Sequence, residues 1–557
     1  MENSKITRLT NINFFLGEYG VDVDRLVYDW KKSKYLFRLW ERDTSLWSSK
    51  PEAEITDRLG WLELPEKIDK EAAEISTFVN AVREDNIQNV ILLGMGGSSL
   101  GPEMFSKFFG KKPGYPELIV LDSTHPAAVM AVENRIDIKQ SLFLVSSKSG
   151  TTLETLSFFR YFWEKVIKIT SQPGDHFAAI TDPGSPLASL AEKKNFRSVF
   201  LAPPDVGGRF SAFSCFGLLP AALIGSDLEE LKSQALSVVK KASAGGDEEK
   251  SDSLKLGAAL GEIGRNRDKI TFFVSPSLLS FVDWLEQLIA ESLGKSGKGI
   301  IPIINEIELP VKNYRPERLF VFLYDDIDIE HPKSFENKLR EANHPVISIN
   351  VNSKYEIGRE IFRWEIAVAA AGSVLRVNPF NQPDVQLTKA LTGEFMSKKK
   401  GSAEKNGEVP KEYEIGYPGS LGSVLDNWLN MAQPAAYIAI QAYLAPYVKV
   451  SNGIEKIRKK LLEKTLLATT LGFGPRFLHS AGQLHKGGPE TGLFLQLVDE
   501  PERDLSVPGE DYTFGSLIKA QSAGDFLALK QRNRHVLRIN LGKNVLSGLN
   551  QLAEIIG

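Results

Sequence analysis

Cysteine is almost absent from this sequence, since Cys215 is the only one among 557 residues. A single thiol excludes a disulfide within the chain and argues against a cysteine-based metal cluster. The fold must therefore be stabilised by packing, which suits a reducing cytoplasm. An excess of basic charge is also missing, because the formal net charge is only −3. A nucleic-acid partner would require a basic face on the protein, so we expect no such partner.

Long apolar runs are missing as well. No run reaches membrane-spanning length, and the first twenty residues have neither the basic start nor the apolar centre of a signal peptide. We therefore expect a cytoplasmic protein that is neither exported nor inserted into a membrane.

The composition that remains is that of a folded globular protein, with 42% apolar and 25% charged residues. A length of 557 residues exceeds one ordinary hydrophobic core, so the chain is expected to form two or three domains.

Short apolar runs alternate with helical patterns along most of the chain. Such runs occur at residues 89–93, 117–121, 142–145, 178–180 and 198–201, and again at 270–274, 319–323 and 346–351. Strands that alternate with helices predict α/β domains in which helices cover both faces of a parallel sheet.

Changes in composition mark the predicted domain boundaries. Aromatic and charged residues mix near the start, which predicts amphipathic helices there, and a stretch rich in Lys, Gly and Ser at 398–409 predicts a linker. The predicted parts are a helical segment 1–70, a first α/β domain 71–240, a second 254–396, a flexible loop or linker 397–414, and a C-terminal α/β extension 415–557.

The first candidate site is GMGGSSLGP at residues 94–102, directly after an apolar strand and before a helix. Glycines there let the backbone approach a ligand, and the amides at a helix start favour an anion. The alternatives are a plain structural turn and a dinucleotide fingerprint. The spacing places Ser99 where that fingerprint requires its third glycine, so the dinucleotide alternative is weak.

The second candidate site is SSKSGTTLET at residues 146–155, again after an apolar strand. Six hydroxyls, an ammonium and a glycine turn at a helix start suit a phosphate monoester, whose oxygens each accept several hydrogen bonds. A helix cap alone would need only one of these hydroxyls. A nucleotide-binding P-loop is excluded, because the glycine that should lie five residues before a Gly-Lys-Ser/Thr is absent.

Proton-transfer chemistry needs further groups, and two patterns supply candidates. Gln287 and Glu291 are four residues apart on one helical face, so Glu291 is a candidate base, although an ordinary amphipathic helix has the same pattern. Arg209 follows two glycines and is a candidate to stabilise an oxyanion, or alternatively a surface ion-pair partner.

Five separated motifs, in order, resemble those of the glucose-6-phosphate isomerase family. They are GMGGSSLGP, SKSGTTLET, GGRFSAFS at 207–214, the run from Gln287 to Lys295, and NPFNQPDVQLTK at 378–389. The flanking sequence is also similar to the isomerase part of transaldolase/isomerase fusion proteins. The resemblance implies two sugar-isomerase (SIS) domains with parallel sheets flanked by helices, in addition to the N-terminal helices and the C-terminal α/β extension.

The resemblance also implies roles for individual residues. Glu291 would move the proton between C2 and C1, Arg209 would stabilise the enediolate, and Lys389 would assist ring opening. Other residues would bind the substrate without taking part in the proton transfers. Gly97, Gln287 and Gln382 would contact the sugar. The phosphate would be bound by Ser98, Ser147, Lys148, Ser149, Thr151 and Thr152. No metal and no cofactor are implied.

One departure from the family concerns the histidine that opens the sugar ring. The family carries it between the glutamate and the Asn-Pro-Phe motif and takes it from a neighbouring subunit. His331 and His344 lie in that interval here, but in different contexts. The tail contains PRFLHSAGQLHKGG, and a neutral imidazole there is suited to protonate a ring oxygen. We favour His479 over His485, with a purely structural loop as the alternative.

The expected activity is thus the interconversion of glucose 6-phosphate and fructose 6-phosphate in glycolysis and gluconeogenesis, by a homodimer as the resemblance implies. Two alternatives remain at this stage. One is a non-catalytic regulator that binds phosphosugars, which would have no use for Glu291, Arg209 and Lys389 together. The other is an isomerase that also accepts mannose 6-phosphate.

Overall fold

A computed structural model describes residues 11–243, 246–325, 330–397, 410–415 and 418–557. The predicted linker at 398–409 lies outside these residues. Within the described part of the chain, no helix combines the length and the apolarity that crossing a membrane requires.

The strands are numbered in chain order. They are β1 (Ile12–Phe15), β2 (Asn89–Gly94), β3 (Glu117–Leu121), β4 (Ser141–Ser146), β5 (Phe177–Thr181), β6 (Ser198–Leu201), β7 (Lys269–Val274), β8 (Ile301–Ile303), β9 (Arg318–Tyr324), β10 (Val346–Asn350), β11 (Tyr413–Glu414), β12 (Tyr437–Tyr443), β13 (Ala468–Phe473), β14 (Gly492–Val498) and β15 (His535–Asn540).

The helices before the linker are α1 (Gly20–Lys32), α2 (Tyr35–Trp40), α3 (Leu64–Glu84), α4 (Gly97–Phe109), α5 (Pro126–Arg135), α6 (Leu153–Val166), α7 (Pro186–Lys193), α8 (Cys215–Leu223), α9 (Leu228–Ala242), α10 (Asp252–Gly264), α11 (Leu279–Leu293), α12 (Glu330–Glu341), α13 (Ile357–Leu375) and α14 (Val385–Ser397). Those after it are α15 (Pro418–Leu429), α16 (Val448–Thr465), α17 (Gly482–Gly487), α18 (Phe514–Gln531) and α19 (Val545–Ile556).

The described strands form three sheets that share the order of four strands. The first sheet runs β3-β2-β4-β5-β6 and is parallel throughout. The second runs β8-β7-β9-β10-β1, and the third runs β13-β12-β14-β15-β11. The strand order reverses beside β2, β7 and β12, and such a reversal leaves a crevice at the carboxyl edge of an α/β sheet. The predicted fold class, parallel sheets flanked by helices, is confirmed.

The N-terminal part differs from the helical segment expected for residues 1–70. Strand β1 pairs antiparallel with β10 and so extends the second sheet. Helix α3 continues through the expected boundary at residue 70. A four-residue strand carries too short a pattern to be recognised without its pairing partner.

Packing joins the three sheets in two ways. Apolar residues of the first two sheets belong to one core, whose largest members are Trp61, Trp284 and Trp364. The third sheet has its own core, and a smaller cluster that includes Ile301 and Phe494 packs β8 against β12, β13 and β14. The chain therefore builds the third sheet against the edge of the second.

A buried arginine completes this junction. Arg458 on α16 donates to the backbone oxygens of Ile304 and Asn305 at 2.6 and 3.0 Å. It also donates to the hydroxyl and the backbone oxygen of Thr469 on β13, at 2.9 and 2.7 Å. One guanidinium thus satisfies oxygens from both sheets that would otherwise be buried without donors.

We predict that Arg458→Met destabilises this junction, because it leaves those oxygens without a hydrogen-bond donor. The free energy of unfolding, measured by urea denaturation, should fall by about 3 kcal/mol. Lys459→Met is the matched control, since Lys459 is the next residue along the chain and is exposed. Its ammonium lies 3.9 Å from the Glu463 carboxylate. Equal effects of the two substitutions would contradict the role given to Arg458.

Candidate active site

Helix α11 presents Gln287 and Glu291 on one buried face, as their spacing predicted. The Gln287 Nε2 donates to Glu291 Oε2 at 3.1 Å and to the backbone oxygen of His479 at 2.7 Å. Its carbonyl oxygen is buried and has no hydrogen-bond partner among the described residues. Gln287 therefore links Glu291 to His479, and its side-chain oxygen remains available to accept a hydrogen bond from a ligand.

The Arg209 side chain lies beside Glu291 and is only 4% exposed. Its Nε donates to Ser292 Oγ at 2.8 Å, and its Nη2 donates to the backbone oxygens of Pro379 and Asn381 at 2.7 and 2.9 Å. Its Nη1 lies 3.7 Å from Glu291 Oε2. The Nε and Nη2 atoms thus bind other parts of the chain, and the Nη1 atom faces the carboxylate of Glu291.

Burial dominates the electrostatics of this pair. It raises the pKa of Glu291 above its usual value, although Arg209 and Lys295 oppose the shift. Burial likewise lowers the pKa of Lys295 well below its usual value. The Lys295 ammonium donates to the backbone oxygen of Asn378, so the loop before Gln382 is held by both cations. A carboxylate with a raised pKa is the stronger base.

The hydroxyl loop between β4 and α6 adjoins a cavity of about 460 Å³. Its lining includes Ser149, Thr151, Thr152, Glu154, Lys389 and His479. Within the loop, Ser147 and Thr152 share a hydrogen bond of 2.9 Å, and so do Ser149 and Thr151. The structure thus brings most of the predicted loop together with Lys389 and His479.

Lys148 differs from the prediction that grouped it with the phosphate ligands. Its ammonium lies 2.6 Å from Asp182 Oδ2 and 3.3 Å from the backbone oxygen of Pro204. Its charge is compensated there by the Asp182 carboxylate. Ser98 lies in the first turn of α4, and Gln382 directly follows Asn381.

The two histidines of the tail lie in different surroundings. His479 lines the cavity, and its Nε2 lies 3.1 Å from Glu154 Oε1. His485 is buried between Phe477 and Phe494, and its Nδ1 lies 3.2 Å from Gln441 Nε2. Burial lowers the pKa of His485 well below its usual value. His479 is thus the tail histidine that a ligand in this cavity would meet.

Two cavity residues were not predicted as functional. Glu154 belongs to the SKSGTTLET motif, but a glutamate in the first turn of a helix is common and gave no separate signal. Gln521 lies on α18 and donates to Glu154 Oε1 at 2.7 Å. No local pattern marks Gln521, because its partners come from another domain.

The fold and this site define the class of the protein. Paired hydroxyls that share a cavity with a histidine, and a buried carboxylate beside an arginine that is linked to that histidine through Gln287, suit a sugar-phosphate isomerase.

Comparisons with known proteins show similarity to one family within that class. Residues 66–296 match the family model described as phosphoglucose isomerase. The chain is 28% identical over 358 residues to a probable glucose-6-phosphate isomerase of Methanococcus maripaludis, covering 57% of this chain and 81% of that protein. It is 29% identical over 390 residues to the glucose-6-phosphate isomerase of Pediococcus pentosaceus, covering 60% and 86%. These matches confirm the resemblance drawn from the motifs.

A solved structure agrees at the level of the fold. The glucose-6-phosphate isomerase of Chlamydia trachomatis superposes with a TM-score of 0.57 at 20% identity. The match covers 69% of this chain and 87% of that one.

Because Gly97 has no side chain, the start of helix α4 can contact the turn that carries Arg209. A Cβ at Gly97 would lie 2.1 Å from the carbonyl oxygen of Gly208. We predict that Gly97→Ala displaces the Arg209 turn and lowers kcat/KM for sugar-phosphate isomerisation about a hundredfold. Gly101→Ala on the same helix is the matched control, because no atom lies within 4 Å of its added Cβ. Wild-type activity of the Gly97 variant would contradict this close approach.

Proposed function

We propose that the chain interconverts glucose 6-phosphate and fructose 6-phosphate by moving a proton between C1 and C2 through an enediolate. The observation that carries the proposal is the buried Glu291 carboxylate, which lies beside Arg209 and is joined through Gln287 to His479 on the cavity. The phosphoglucose isomerase match over residues 66–296 supports the same reaction.

Proton transfer is assigned to Glu291. The C2 proton of an aldose is weakly acidic, so a positioned base needs a cation at the developing oxyanion. The Arg209 Nη1 faces Glu291 Oε2 while the other guanidinium nitrogens are engaged by the protein. Such a fixed cation stabilises the enediolate without reorganising during the reaction.

Substrate binding is assigned to the hydroxyl loop between β4 and α6 and to the backbone amides at the start of α4. Ser147, Ser149, Thr151 and Thr152 would donate to the phosphate, with Gly97 and Ser98 of the neighbouring helix start facing the substrate. Lys148 would first have to leave Asp182, so we assign it a supporting charge only. The orphaned carbonyl oxygen of Gln287 suits a sugar hydroxyl, and Gln382 follows the loop that Arg209 holds.

Ring opening is assigned to His479 with Lys389. Both line the cavity, and His479 is paired with Glu154. Burial opposes ionisation of Glu154, but His479 and Lys389 outweigh it and hold the pKa of Glu154 below its usual value. The Glu154 carboxylate lies 3.1 Å from the His479 Nε2 and so holds the imidazole ring at the cavity.

The setting of the enzyme is also part of the proposal. We assign it to the cytoplasm, which suits a chain with a single cysteine, and to glycolysis and gluconeogenesis. The homodimer that the resemblance implies is retained. We assign the ring-opening histidine to the same chain as Glu291, Arg209 and Lys389, and the hydrogen bond between Gln287 and His479 supports this assignment.

Replacement of Glu291 tests the reaction. In a coupled assay with fructose 6-phosphate, Glu291→Gln should lower kcat at least about a hundredfold, because the only assigned base is lost. Binding of a phosphorylated sugar acid should remain. Glu463→Gln on the surface of α16 is the control. Activity of the Glu291 variant within tenfold of wild type would refute the assignment, and no activity in the wild type would refute the function.

Replacement of His479 tests the ring-opening step. His479→Asn should slow the conversion of the cyclic sugar much more than that of an open-chain substrate analogue, because only ring opening needs an acid at the ring oxygen. His485→Asn controls for disturbance of the tail. Equal losses on both substrates would mean that the loop is structural, and a selective loss with His485 alone would transfer the role to that residue.

A further inference from the structure

Four side chains form a continuous hydrogen-bonded path that ends at the cavity. Thr124 Oγ1 lies 2.7 Å from Gln521 Oε1, and Gln521 Nε2 lies 2.7 Å from Glu154 Oε1. The same Glu154 oxygen lies 3.1 Å from His479 Nε2. Thr124 is fully buried, Gln521 is 3% exposed and Glu154 is 7% exposed. Glu154, Gln521 and His479 line the cavity, whereas Thr124 lies behind them, so the path connects the packed interior with the cavity.

The carboxylate fixes the direction of every bond in this path. An ionised carboxylate only accepts, so the Gln521 amide must point its NH₂ at Glu154 and its oxygen at Thr124. The Thr124 hydroxyl then donates to that oxygen. The reverse orientation would place the amide oxygen 2.7 Å from a carboxylate oxygen, which is repulsive unless Glu154 is protonated. A correctly oriented Gln521 thus selects the ionised form of Glu154.

We propose that Gln521, oriented by Thr124, is a positioning residue that holds the Glu154 carboxylate and, through it, the His479 imidazole in place at the cavity. The proposal rests on the proposed function, because it assigns this path to ring opening. Gln521 itself touches neither the sugar nor the reacting atoms in this assignment. It acts through the carboxylate that pairs with the imidazole.

The location of Gln521 makes the third sheet a contributor to the reaction. Helix α18 packs against α14, which carries Lys389, and both lie over the hydroxyl loop of the first domain. The titratable groups that act on Glu154 are His479, Lys389 and Tyr512, the last from the loop before α18. A substitution at Gln521 leaves the side chains of His479, Lys389 and Tyr512 themselves unchanged.

Two substitutions at Gln521 should change the pH profile in different ways. Gln521→Leu removes the donor, so the pKa of Glu154 rises and Glu154 loses its charge at a higher pH. The ratio of kcat/KM for the cyclic sugar to that for the open-chain analogue should then begin to fall at a pH about one unit higher than in the wild type. In Gln521→Glu, the introduced carboxyl can donate to Glu154 only when it carries a proton. Activity on the cyclic sugar should then recover as the pH falls.

The open-chain analogue separates this effect from damage to the rest of the site. Protonation of Glu291 affects both substrates, whereas loss of the Gln521 donor should shift only the profile of the cyclic sugar. Gln531→Leu at the exposed end of α18 is the matched control and should leave both profiles unchanged. Thr124→Val should produce a smaller shift in the direction of Gln521→Leu, because the amide then loses its orienting donor.

A measurement without turnover distinguishes failure of this proposal from failure of the proposed function. The carboxyl ¹³C shift of Glu154, followed by NMR titration of the full-length protein, should report a pKa about one unit higher in Gln521→Leu than in the wild type. An unchanged Glu154 titration in Gln521→Leu would overturn the relay. A raised Glu154 pKa in a protein without isomerase activity would keep the relay and remove its assignment to ring opening.

Discussion

The guanidinium of Arg209 joins three stretches of chain that are distant in the sequence. Its bonds to Ser292 fix the end of α11, and its bonds to Pro379 and Asn381 fix the loop that leads to α14. A buried cation is tolerated only where such partners surround it. The same charge therefore sets the position of Glu291, of the loop before Gln382, and of the turn that packs on Gly97. The distances within the candidate site are a consequence of satisfying this one group.

The sequence predicted the parts of the fold that have local signals. The apolar run at 89–93 and the glycines after it correspond to β2 and the start of α4, and the run at 142–145 corresponds to β4. The helical spacing of Gln287 and Glu291 was sufficient to place them on one face. Each of these predictions depends on neighbours within a few residues, for which backbone sterics and periodicity are decisive.

The parts that escaped prediction depend on partners far along the chain. Gln521 contacts residues 397 and 367 positions away, so no window of sequence around it carries the signal. The sequence predicted that Lys148 binds a phosphate, but Asp182, 34 positions away, pairs with its ammonium. Strands β12 to β15 of the third sheet repeat the order of β2 to β5 in the first, and no local window of sequence shows this pairing. Tertiary pairing, unlike helix or strand period, is not encoded locally.

The residues around the cavity come from both early and late parts of the chain, and this determines the order in which the cavity forms. Protein synthesis runs from the N-terminus, and domains fold largely as units as they emerge. Glu154, Arg209 and Glu291 belong to the two sheets that share one core, whereas His479 and Gln521 arrive with the third. A nascent chain thus holds the hydroxyl loop and the buried carboxylate before the last sheet has left the ribosome. Docking of that sheet therefore completes the cavity, because the part of its lining formed by His479 and Gln521 arrives with it.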